Sequence, residues 1–163
     1  MEEAPRFRVI AWWASGRTGI AKSDSAPNAL HFASPPAFGG VEGRWTPEDL
    51  LLCALASCFT TTFRAVAESS KLDYTDLQVE AEAAIDKADT GYRLGEVLIH
   101  ANLTIPHEAE QARAIKLLQK AKALCPVAHA LSLEQRFEPY VRVGNVRVEA
   151  SQPLPVSGKE AWR

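Results

Sequence analysis

Cys58 and Cys125 are the side chains in this sequence best suited to covalent chemistry. A thiolate is a strong nucleophile, and two thiols brought together form a redox pair. Cys58 lies in the uncharged segment Leu50-Leu51-Leu52-Cys53-Ala54-Leu55-Ala56-Ser57-Cys58-Phe59. In such surroundings a thiol is either a small apolar core residue or a nucleophile that needs help, because burial disfavours the thiolate. Thr61 or Thr62 can donate a hydrogen bond to its sulfur, and Arg17 or Arg44 can supply a cation. Cys125 precedes Pro126 at a break between helices. There the amides of the next short helix can face the sulfur and favour its ionised form; the plainer alternative is a capping residue at the junction.

Other groupings are weaker. Cys53 is five positions before Cys58, about 140° away around a helix, so the two share no face and Cys53 is expected to pack. His129 follows Cys125 at i, i+4 spacing, which suits two ligands of one metal or a thiolate–imidazolium couple. Two residues do not make a metal site, and His31, His100 and His107 are scattered, so no metal or cofactor is expected. Gly16-Arg17-Thr18-Gly19 lacks the glycine pattern of a nucleotide-binding loop. Glu80, Glu82, Lys116, Lys120 and Lys122 read as solvated faces.

The elements that must position the thiols follow from periodicity and punctuation. Phe7, Val9, Ala11 and Trp13 alternate with Arg8, Ile10 and Trp12, the pattern of a strand. Ser15-Gly16-Arg17-Thr18-Gly19 predicts a hairpin turn, with further strands over about 20–23 and 29–33. Thr46, Pro47 and Asp49 predict a helix start with a capping box. The helix that follows is apolar on all sides as far as Phe59, which predicts burial all round. Leu77, Val79, Ala81 and Ala83 begin one strand, and 94–105 its partner, with Asp89-Thr90-Gly91 in the turn. A second helix is expected over about 107–124, a short one after Pro126, and a last strand or hairpin over 139–150, turning near Gly144-Asn145. Grouped strands and helices predict an α+β fold.

Composition narrows the class. A chain of 163 residues suits one domain, with about 152–163 as a loose extension. A net charge of -2 gives no reason to expect nucleic acid or an anionic membrane surface. Met1-Glu2-Glu3 begins no secretory signal, and the uncharged run from Leu50 to Phe63 is shorter than the roughly 20 residues of a bilayer span. Three cysteines are too few for a disulfide scaffold. The expected location is the cytoplasm, with reduced thiols.

Taken together, Thr46-Pro47-Glu48-Asp49-Leu50, Ala54-Leu55-Ala56-Ser57-Cys58-Phe59, Leu124-Cys125-Pro126-Val127 and the turn Gly16-Arg17-Thr18-Gly19 resemble the OsmC/Ohr family of osmotically inducible and organic-hydroperoxide-resistance proteins. The resemblance implies an OsmC-like fold, with antiparallel sheets around a buried central helix in an intertwined homodimer. It also implies a thiol-dependent peroxidase for organic hydroperoxides. Cys58 is then the peroxidatic cysteine and Cys125 the resolving one. Arg17 stabilises the thiolate and orients the peroxide, and Glu48 pairs with that arginine. The implied partners are an organic hydroperoxide, an external dithiol such as a dihydrolipoyl group, and a second copy of the chain. Ten residues of helix separate Glu48 from Cys58, about 15 Å, so Glu48 is expected from the other subunit or to act through Arg17. Leu55, Phe59, Phe38 and Trp45 are expected around an apolar substrate. Two other readings stand beside this one: a non-catalytic OsmC-like dimer binding a small apolar ligand, and a cysteine hydrolase using Cys125 and His129.

Overall fold

The protein is described by a computed structural model covering residues 4–144. The chain divides into two compact units, Met1–Leu55 and Ala56–Arg163.

The first unit holds a three-stranded antiparallel sheet in the order β1 (Val9–Ser15), β2 (Thr18–Ser23) and β3 (Leu30–Ala33). The β1–β2 turn is made by Gly16 and Arg17, and Gly16 takes the positive φ that such a turn requires. The segment after β3 carries a short 3-10 turn at Pro36–Phe38. Helix α1 (Pro47–Ser69) starts as its sequence predicts. The Thr46 hydroxyl accepts the Asp49 amide at 3.1 Å, and the Asp49 carboxylate accepts the Thr46 amide at 2.9 Å and its hydroxyl at 2.8 Å.

The second unit is built on the long hairpin of β4 (Asp76–Ala88) and β5 (Gly91–Ile105), joined by a turn at Asp89 and Thr90. Helices α2 (Gln111–Leu124) and α3 (Pro126–Ala130) follow, and β6 (Gln135–Val143) completes the sheet in the order β4-β5-β6. β6 runs parallel to β5, from Val97 opposite Gln135 to Ile105 opposite Val143. The parallel β5–β6 pair corrects the expectation of antiparallel sheets, and the expected last strand is β6. The helical crossover between β5 and β6 returns the chain in the same direction, which a tight turn cannot do. The second half of the expected hairpin, and the C-terminal extension, lie outside the described residues.

The core of this unit is a sheet face set against helices. Val97, Ile99, Ala101, Leu103 and Ile105 alternate along β5 and are fully buried. From α1, Phe59 packs on Phe137 of β6 with ring centroids 5.4 Å apart, and Phe63 meets Tyr74 edge-on at 5.4 Å. Ala114, Leu118 and Ala121 give α2 its buried stripe.

Two expectations about α1 need correction. Within the chain it is buried along one face only: Leu55, Phe59, Phe63, Val66 and Ala67 are buried, whereas Cys53, Ala54, Ser57, Thr60 and Thr61 are exposed. Composition reports how apolar a helix is, not how many of its sides one chain can cover. The helix is also 23 residues long, with a window of mean hydropathy 1.7, so by length and composition it is able to cross a membrane. The uncharged run alone understated it. Phe59 and Phe63, on its buried face, are part of the protein core.

Candidate functional site: a dithiol on two helices

Cys58 stands on α1 immediately before Phe59, whose ring anchors that part of the helix in the core. Cys58 is half-buried, and Cys125 is completely buried. The backbone around Cys125 is dictated by the residue after it. A residue preceding proline is pushed out of helical conformation, and Cys125 is extended, with φ -69° and ψ 111°. It therefore ends α2 and begins α3, with Pro126 at the first helical position, where a missing N–H does no harm.

The second unit brings the two cysteines together as free thiols. The Cys125 thiol is pushed up from its ordinary value by burial first, and further by its hydrogen bond to Cys58 and by charge on that neighbour. The amides of Ala128 and Val127 face the sulfur without closing a cap hydrogen bond, and they pull the other way. The amide effect anticipated from the sequence is present, but burial and Cys58 outweigh it. The pair is thus asymmetric in exposure: Cys58 is half-buried, and Cys125 is fully buried with its thiol pushed up.

The side chains around the pair depart from expectation in several ways. The Thr61 hydroxyl donates to the carbonyls of Ser57 at 3.2 Å and Cys58 at 3.0 Å, bonding back along the helix and away from the sulfur. Cys53, expected to pack, is exposed. Phe59 is fully buried against Phe137 and so belongs to the core. His129 is exposed at the end of α3, and its amide donates to the Cys125 carbonyl at 3.1 Å. Among the described residues no group of three or more His, Cys, Asp or Glu can hold a metal ion.

Arg17 and Glu48 belong to the first unit. Arg17 is exposed in the β1–β2 turn, and its guanidinium donates to the Phe38 carbonyl. A Cβ added at Gly39 would lie 3.6 Å from that guanidinium, and Gly39 itself has φ +75°, so the residue facing Arg17 is one for which glycine is favoured. Glu48 Oε2 is buried without a hydrogen-bond partner. No ion pair joins Arg17 to Glu48 among the described residues. Arg44 is exposed, as is Trp45, while Phe38 is half-buried.

Sequence reasoning passed over Gln135. Its side-chain amide donates to the carbonyls of Ala128 at 2.8 Å and Leu131 at 3.2 Å. A lone glutamine at a strand start has no periodicity to mark it, and only the fold shows what it touches.

Comparison with known proteins gives the class of this fold. The profile of the OsmC-like protein family matches residues 40–139. The chain belongs to that family. It is 27% identical to the uncharacterized protein YmaD of Bacillus subtilis (strain 168) over 143 residues, 85% of this chain and 95% of the relative. It is 28% identical to the organic hydroperoxide resistance protein OhrA of the same organism over 132 residues, 78% of this chain and 90% of the relative. The crystal structure of an organic hydroperoxide resistance protein OsmC from Legionella pneumophila superposes with a TM-score of 0.70 at 26% identity. It covers 87% of this chain and all of that one. The α+β OsmC-like fold read from the sequence is therefore the fold of the protein, and its relatives include proteins named for hydroperoxide resistance.

Proposed function

We propose that this protein is a thiol-dependent peroxidase that reduces organic hydroperoxides to alcohols. One observation carries the reading: two free thiols are neighbours, the accessible one on a core-anchored helix and the buried one biased to keep its proton. That division of labour suits a peroxidatic Cys58 and a resolving Cys125. The Cys58 thiolate attacks one peroxide oxygen, the O–O bond breaks, and the alkoxide leaves as an alcohol once protonated. Cys58 is now a sulfenic acid. Cys125 attacks its sulfur, the S–O bond breaks, and hydroxide departs with the Cys125 proton as water. An external dithiol, such as a dihydrolipoyl group, reduces the disulfide and is itself oxidised.

By family resemblance Arg17 assists this chemistry, holding the Cys58 thiolate and the departing alkoxide by charge. By the same resemblance Glu48 of the other subunit orients that arginine in the dimer, since within one chain the two form no ion pair among the described residues. The protein acts as a homodimer in the cytoplasm, each chain being one OsmC-like domain. The dimer accounts for surface that a lone chain leaves open: Phe7, Val9 and Trp13 are 88%, 67% and 76% exposed, and one face of α1 is uncovered. Hydroperoxide consumption tests the reading. Cys58→Ser is expected to abolish turnover. Cys125→Ser is expected to allow one oxidation per site and then leave Cys58 open to sulfinic acid. Full activity in Cys58→Ser contradicts the reading.

A further inference from the structure

We propose that Gln135 is a positioning residue for the resolving cysteine, holding α3 so that the Cys125 sulfur stays beside Cys58. The inference rests on the peroxidase reading for its consequence, but its geometry stands apart from it.

Helix α3 has five residues, Pro126–Ala130. A single turn cannot hold itself together, because nucleation costs more than one turn returns. Its last carbonyls also need donors from elsewhere. The donor is the Gln135 carboxamide, which gives one N–H to Ala128 O and the other to Leu131 O. Gln135 is well placed for this task. It is the first residue of β6 and pairs with Val97, and the Val97 amide donates to Glu134 O at 2.8 Å. A helix too short to be rigid is thus tied to the start of a strand that is fixed to the centre of the sheet.

The orientation of the carboxamide is forced. Turning it over would aim its oxygen at two carbonyl oxygens. As it stands, Oε1 is buried and has no hydrogen-bond partner. A buried acceptor left unpaired is unfavourable, so this side chain keeps its two donated bonds at the expense of its own oxygen. Ala128, whose carbonyl it holds, is also the residue whose amide faces the Cys125 sulfur. The tether therefore acts on the backbone that surrounds the resolving thiol. Its donated bonds go to backbone carbonyls and to neither sulfur, and it has no part in peroxide attack.

Two variants of the full chain test this. Gln135→Glu keeps the shape but replaces both donors with a carboxylate facing two carbonyls; Gln135→Leu removes the polar group. The first measurement uses no peroxide: the rate at which iodoacetamide alkylates Cys125 in the reduced, folded protein, read by peptide mass. Both variants are expected to raise it about tenfold, the effect of losing two neutral hydrogen bonds. In Gln135→Glu the rate relative to wild type is expected to fall back as the pH is lowered and the carboxyl, its affinity for a proton raised by burial, regains one donor. The second measurement is a single-turnover experiment with an organic hydroperoxide. Oxidation of Cys58 is expected at the wild-type rate, with closure of the disulfide slowed about tenfold and more Cys58 sulfinic acid formed. Wild-type Cys125 alkylation in both variants overturns the tether, whatever the peroxide result. If wild-type Cys58 does not oxidise at all, the peroxidase reading fails while alkylation still decides the role of Gln135. Equal loss of Cys58 oxidation and disulfide closure overturns the assignment to the resolving thiol.

Discussion

The two compact units hold their functional candidates in opposite ways. In Ala56–Arg163 the thiols are fixed by packing. Phe59 locks α1 against Phe137, Pro126 fixes the turn at Cys125, and Gln135 ties α3 to the sheet. In Met1–Leu55 the charged candidate sits on a loop. Arg17 is exposed, steadied by the Phe38 carbonyl and by the shape of the segment at Gly39. The difference matches what each chemistry needs. Two sulfurs that must bond to each other tolerate little error, since a disulfide is demanding in its geometry. A guanidinium acts through charge, which falls off more gently with distance, so the role proposed for Arg17 demands less exact placement.

The comparison is broken most sharply at Arg17. Arg17→Ala removes a charge from an exposed turn, so the fold is expected to be unchanged by circular dichroism and denaturant midpoint. Single-turnover oxidation of Cys58 by an organic hydroperoxide is expected to slow about a hundredfold, as when a group stabilising transition-state charge is lost. A rate within a factor of two of wild type would remove Arg17 from the mechanism.

Gly39→Ala gives a finer test of the same loop. Alanine at a φ of +75° is expected to cost about 1–2 kcal/mol, and to shift the neighbouring Phe38 carbonyl that holds Arg17. Peroxide turnover should fall severalfold, with Cys125 alkylation unchanged. A change in alkylation would mean that this loop and the dithiol are not supported separately.

The smallest effect belongs to the packed unit and is read from stability against pH. The fold raises the Cys125 thiol above its ordinary value of 9.0, with burial the largest cause and Cys58 contributing. The neutral thiol is thus the form the fold prefers. Its contribution is complete below the ordinary value and is lost as pH rises through the raised one. Denaturant midpoints of the reduced protein should decline above about pH 9, and less steeply in Cys125→Ala. Equal slopes for the two proteins would show that the thiol is no more hindered in the fold than in the unfolded chain.

What the sequence revealed of this arrangement follows the range of the interaction. The α1 cap was legible because Thr46, Pro47 and Asp49 are adjacent and act on one another. The helix break at Cys125 was legible because Pro126 imposes it locally. The parallel pairing of β6 with β5 was not, because nothing in 135–143 records the direction from which the chain returns. The one-sided burial of α1 escaped for a similar reason, since composition does not count the surfaces available to cover a helix. Thr61 was one of two threonines able to reach the Cys58 sulfur, but the carbonyls one turn back are always within its reach. Gln135 was invisible because its partners lie in a helix whose position only the fold defines.

The central claim is that sulfur 58 and sulfur 125 become bonded when the protein meets its oxidant. The most direct measurement treats the reduced protein with one equivalent of an organic hydroperoxide and maps the products by peptide mass spectrometry. The account predicts one major product, a Cys58–Cys125 disulfide with Cys53 still a free thiol. A Cys58 sulfinic acid beside an unreacted Cys125, or a disulfide involving Cys53, would contradict it.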